Sequence, residues 1–223
     1  IAAFVLITAI PTIIAVKPLT ENYTQGNGQK NDNKISIRKH FKNLQFWIIT
    51  LNLIVIPFLC TAIFLYQYAI GLQKGWDASW IAISFTYYAV FNALFLLISG
   101  SLVDKFSGTR LFPLYLLPTL LGLLIMSFID SKWAFPVFYS LLGISTGLGF
   151  TIGTATQVEI YGKANLGQIR SYFSTILVLS TALAPPLFGY FMDISVPVSK
   201  LMGFNAAAVF IIILLSFLVK KND

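Results

Sequence analysis

Residues 98–110 read ISGSLVDKFSGTR. An apolar run flanks this stretch on each side, and each run is about as long as a bilayer-crossing helix, which needs roughly 20 residues. Asp104, Lys105 and Arg110 crowd the short connection between them. Such a charged connection suits a chain that leaves a membrane, turns and re-enters it.

The whole sequence bears this out. Its 223 residues are 57% hydrophobic and 10% charged, with a mean hydropathy of +0.80. A soluble domain of this size has too few polar residues to cover so much apolar surface. The chain reads as an all-α, polytopic membrane protein. Fifteen Lys and Arg against eight Asp and Glu give a formal charge of +7. These cations flank membrane spans, so topology explains them better than nucleic acid does. Cys60 is the one cysteine; it lies in an apolar run and reads as a small buried side chain. The chain starts at Ile1, inside an apolar stretch without a positive lead, so it reads as a fragment of a longer protein rather than one opening on a signal peptide.

Seven apolar runs are expected as spans. The first, 1–15, is a partial transmembrane helix; the others cover about 46–71, 79–102, 110–129, 133–156, 170–191 and 199–219. Residues 16–45 form a linker, and residues 220–223 a tail. In the linker, Ile37, Phe41 and Leu44 share a helical face flanked by Arg38, Lys39 and Lys42, which suits a short amphipathic helix on an anionic leaflet. His40 there reads as a solvated surface residue. Twelve of the fifteen Lys and Arg fall in alternate connections on one side; Lys74, Lys132 and Lys200 fall on the other. The positive-inside rule then puts the linker and the C-terminus in the cytoplasm of a multi-pass protein of the plasma (inner) membrane.

The third span ends Gly100-x-x-x-Asp104 and the sixth ends Gly189-x-x-x-Asp193, 89 residues apart. Neighbouring spans recur at similar offsets. A three-span unit that repeats places its second copy inverted, as in many secondary transporters. Asp104 is a second puzzle, because a helix C-terminus repels an anion by up to about 1 kcal/mol. Two readings are open: Asp104 faces the N-terminus of another span in a closed gate, or it caps the fourth span locally while Lys105 and Arg110 fix orientation. Gly100 would allow close helix approach and Gly108 a tight turn. In the fifth span, Gly143, Gly147, Gly149 and Gly153 give two small-xxx-small pairs, which favour helix packing.

Polar groups inside spans mark either a ligand path or hydrogen bonds between helices. Tyr66 and Gln67 sit late in the second span; Ser84, Tyr88, Asn92 and Ser99 recur along the third. No Asp, Glu, Lys, Arg or His lies deep within the six complete spans. Glu159 stands at the end of the fifth and is expected to join a gate with Arg170.

Gly100, Leu102, Asp104, Lys105, Gly108 and Arg110 resemble the cytoplasmic-loop motif of the major facilitator superfamily. Tyr161-Gly162, Asn165-Leu166-Gly167, Ile169-Arg170, Pro186, Gly189 and Asp193 resemble its helix ten to eleven region. Ser107 is an extra residue within the motif. The resemblance covers nearly the whole chain as the end of helix six, the central loop and helices seven to twelve, and is nearest to the oxalate/formate and monocarboxylate-like branches. It implies a six-helix transporter bundle, half of a secondary active transporter that moves a small solute, an organic anion among the candidates, by alternating access. It also implies a partner six-helix N-terminal half, with a coupling ion where transport is driven. The implied cavity residues are Tyr66, Gln67, Tyr88 and Asn92. The implied cytoplasmic gate comprises Gly100, Asp104, Lys105, Gly108, Arg110, Glu159 and Arg170, with Gly189 joining the packing glycines.

The competing class is a seven-span receptor or retinal-type protein. A retinal Schiff base needs a lysine inside the last span, and 199–219 offers Lys200 at its edge. The sequence carries no His-Glu-x-x-His, Cys-x-x-Cys or Walker phosphate loop, so an enzyme, a metal site and a bound cofactor are not expected.

Overall fold

The computed structural model describes residues 43–162 and 166–220. The partial span expected at 1–15, most of the linker with its amphipathic helix, and the last three residues of the tail lie outside them. Among the described residues the chain is all helical: α1 Leu44–Gln73, α2 Ala78–Phe106, α3 Gly108–Leu111, α4 Leu117–Phe128, α5 Ala134–Tyr161, α6 Leu166–Asp193 and α7 Val198–Ser216. Five of these, α1, α2, α5, α6 and α7, are long and apolar enough to cross a membrane.

The span expected at 110–129 is broken. It consists of α3, a turn over 112–116 and the 12-residue α4. Pro113 and Pro118 are the reason. Neither can donate a backbone N–H, and Pro118 sits in the first turn of α4, where that loss costs least. The neighbouring donor, Thr119 N, is taken by Ser145 Oγ of α5 at 3.0 Å. Phe112, Tyr115 and Leu116 bury the turn against the core. Two other helices run further than expected. α2 continues to Phe106 and carries Asp104 in its last turn; α5 continues to Tyr161 and carries Glu159.

α5 forms the centre through close contact with α2. A Cβ on Gly143 would lie 2.6 Å from Tyr88 O, and one on Gly147 would lie 2.6 Å from Asn92 O. The two backbones touch, which only glycine permits there. Phe64, Phe85, Tyr88 and Tyr139 then close the seam between α1, α2 and α5 with mostly edge-on ring contacts. On the other side, Asn52 of α1 donates to Ser216 Oγ of α7 at 2.7 Å and accepts from the Tyr115 hydroxyl at 2.6 Å. This triad is buried, so its polar atoms are satisfied by one another.

Both ends of α1 are tied down. At its C-terminus, Gln73 accepts from Val198 N at the start of α7, at 2.7 Å. Lys74 Nζ donates to Met126 O of α4 at 3.1 Å and to Asp130 at 2.6 Å. At its N-terminus, Gln45 donates to Lys220 O at 2.6 Å. The rim is different. Half of the apolar window of α1 and of α5 is buried, against 11% for α2 and 22% for α6. Val90, Leu94 and Leu97 on α2, and Leu179, Leu183 and Tyr190 on α6, stand exposed.

Candidate functional site

α1, α5 and α6 leave a cleft of about 450 Å³ between them. Its wall on α5 runs from Thr146 to Gln157, about 16 Å of helix at 1.5 Å per residue. Thr146, Gly149, Gly153, Thr154 and Gln157 share that face, because they recur at intervals of one and two helical turns. Arg170 and Ser174, one turn apart on α6, stand opposite; Leu53, Ile56 and Pro57 of α1 and Phe173 of α6 supply apolar walls. The two glycines keep the wall thin. A Cβ on Gly149 would press on the Tyr115 ring at 2.8 Å, and one on Gly153 on Leu53 Cδ2 at 2.8 Å. The second glycine pair therefore packs against side chains, whereas Gly143 and Gly147 pack against backbone.

Two features give the cleft its chemistry. Among the described residues, Arg170 is the one charged residue in the lining. Gln157 is 8% exposed, and its Oε1 has no hydrogen-bond partner. A buried acceptor left unpaired costs about 1–3 kcal/mol, so the atom is poised for a donor. Among its described residues the lining holds no carboxylate, histidine or cysteine. It can bind a solute without making or breaking bonds.

Close to one end of this cleft lies a second construction. Glu159 of α5 receives four hydrogen bonds from the residues linking α2 to α3. Gly108 N donates to Oε1 at 2.7 Å. Thr109 N at 3.0 Å, Thr109 Oγ1 at 2.6 Å and Ser107 Oγ at 2.8 Å donate to Oε2. The carboxylate caps α3 from another helix, where an anion is favoured at a helix start. Ser107 is the extra residue of the loop motif. It sits at φ 73°, ψ 145°, a conformation that strains any residue except glycine by about 1–3 kcal/mol. Its hydroxyl bond to Glu159 helps offset that cost. Gly108 is required for space rather than for a left-handed turn. A Cβ there would fall 2.7 Å from Thr156 N and 2.8 Å from Ala155 Cβ.

Several residues singled out in the sequence stand elsewhere than expected. Glu159 does not pair with Arg170; the turn over 107–109 holds both its oxygens. Asp104 is exposed and makes no hydrogen bond or ion pair among the described residues. It neither caps α3 nor meets another helix N-terminus within this bundle. Lys105 lies 5.2 Å from the Phe106 ring, and Arg110 is exposed on α3. Gly100 allows no close helix approach here, since a Cβ on it would meet nothing within 4 Å.

None of Tyr66, Gln67, Tyr88 and Asn92 lines this cleft. Tyr66 donates to Pro185 O of α6 at 3.1 Å, and its hydroxyl occupies the space a side chain on Gly189 would need. Gln67 accepts from the Tyr139 hydroxyl at 3.0 Å. Tyr88 packs its ring against Phe64, Phe85 and Tyr139 in the seam between α1, α2 and α5. Asn92 meets α5 through its backbone. Thr154 and Gln157 went unnoticed in the sequence, although their spacing from Thr146 was a usable signal; the glycines between them drew attention to packing alone.

Membrane-length helices packed around a solute-sized, mainly apolar cleft that carries a few polar groups define a polytopic membrane protein. The chain belongs to the Major Facilitator Superfamily, whose family model matches residues 60–223. It is thus a membrane transporter and not an enzyme. A comparison with curated proteins finds no match.

Proposed function

We propose that this chain supplies the C-terminal bundle of a secondary active transporter, which moves a small solute by alternating access, and that the cleft between α1, α5 and α6 is its share of the solute path. The observation that carries this is the polar stripe Thr146–Thr154–Gln157, turned into the cleft on α5, which with α1 is one of the two most buried spans. Polar groups so placed are expensive in a membrane unless they meet a partner or a water-filled route. A second six-helix bundle in the same protein faces it and rocks against it. The end bearing Glu159 is cytoplasmic by the charge distribution, in the plasma membrane. The oxalate/formate-like residues add an organic anion to the candidate solutes. Any coupling ion is handled by the other bundle.

The test is accessibility. In full-length protein with Cys60→Ala, Thr154→Cys should react with a membrane-impermeant maleimide from the cytoplasmic face, in vesicles of defined sidedness. Proteoliposomes of the same protein should show saturable uptake. A cysteine at 154 that reacts from neither face would mean that lipid or protein fills the cleft, and would overturn the reading.

A further inference from the structure

Resting on that transporter reading, we propose that the solute is a small organic anion that also carries a hydroxyl. Arg170 holds the anionic group, and the hydroxyl donates to Gln157 Oε1. Both residues line one cleft, on facing helices. Among the described residues Arg170 is the one charge in that lining, so the cleft they form repels cations and favours anions. The nearby carboxylate of Glu159 does not cancel it, because four donors of the 107–109 turn already surround that group. Arg170 also lies near the N-terminal end of α6, where the helix dipole adds positive potential. The guanidinium offers a planar fork of donors and no acceptor, which matches a carboxylate.

Gln157 adds a different demand. Its unpaired Oε1 is an acceptor, so a bare carboxylate cannot satisfy it, whereas a hydroxyl can. Thr154 and Ser174, also in the lining, make no hydrogen bond among the described residues, which leaves their hydroxyls for the same solute. A space of about 450 Å³ admits a metabolite-sized molecule with some water. Size, charge and acceptor together specify a hydroxy acid more closely than any single residue does.

Two matched pairs of probes test this on the purified full-length protein: malate with succinate, and lactate with propionate. Lactamide serves as the neutral control. Affinities are read from the rise of the unfolding midpoint with ligand concentration. The hydroxylated acid of each pair should bind about ten-fold more tightly than its partner, the value of one well-placed hydrogen bond. Lactamide should not bind. Arg170→Gln should abolish binding of all four acids, and Arg170→Lys should retain part of it. Gln157→Leu should lower the hydroxy acids to the affinity of their partners and leave those partners unchanged. No binding by any acid, equal binding of lactamide, or unaltered affinity in Arg170→Gln would overturn the proposal. If Arg170→Gln fails to fold, Gln157→Leu decides alone, since a hydroxyl preference that survives it is equally fatal. Uptake into proteoliposomes separates the two readings. Acid binding without uptake of any solute sinks the transporter mechanism and leaves the site. Uptake indifferent to Arg170→Gln sinks the site and leaves the mechanism.

Discussion

Ser107 and Glu159 show how one inserted residue changes the work of a loop. The motif around Asp104 suggested that its aspartate is the anion at a helix start. In the structure Glu159 takes that position, reaching from α5 to cap α3 with four hydrogen bonds. The strained Ser107 is tolerated because its hydroxyl is one of the four donors. Glu159→Ala should therefore cost about 1–2 kcal/mol, the usual loss for a removed cap, seen as a fall of several degrees in the unfolding midpoint in detergent. Arg170→Gln should leave that midpoint nearly unchanged, because the two side chains do not pair. Equal losses in both variants would restore the ion pair expected from the sequence.

At the scale of elements, the seam between α2 and α5 fixes the bundle. Gly143 and Gly147 bring backbone against backbone at 2.6 Å from a would-be Cβ, so nothing flexible can yield. Gly147→Leu should force the helices apart and destabilise the protein by about 2–3 kcal/mol or prevent folding. Gly100→Leu, on α2 but with nothing within 4 Å, should fold with its stability intact or slightly raised. Thermal unfolding of the two variants side by side checks the contrast. The sequence pattern identified both positions as small residues on helices but could not rank them. Spacing tells which residues share a face, and only the neighbouring helix tells whether that face is crowded. The break between α3 and α4 has a similar cause: Pro113 and Pro118 were visible, while the buried Ser145 hydroxyl that makes the break tolerable came from another helix.

For the molecule as a whole, the exposed sides of α2 and α6 and the unpartnered Asp104 belong together. Asp104 in the last turn of α2 makes no hydrogen bond or ion pair among the described residues, and Gly100 one turn earlier leaves its surface open. In the proposed transporter both meet the facing bundle. Asp104→Asn should then slow solute uptake by full-length protein at least several-fold, leave membrane insertion unchanged and leave the unfolding midpoint of the bundle within a degree or two. Normal uptake by this variant would remove Asp104 from the gate. Gly100→Leu should likewise impair uptake while remaining folded, the reverse of a simple packing defect.

The sequence by itself determined that the chain is helical and membrane-embedded. The bilayer enforces those properties locally: each segment must satisfy its own backbone groups and match the hydrocarbon thickness, so length and hydropathy suffice. The tertiary structure alone decided where the chemistry sits. Ser107 and Glu159 are 52 residues apart, and Asn52 and Ser216 are 164 apart. The cleft draws Thr154 and Gln157 from α5, Arg170 from α6, and its apolar walls from α1 as well as from these two helices. No local rule brings such groups together. Their meeting follows from how the helices pack on one another, and that is a property of facing surfaces rather than of one chain segment.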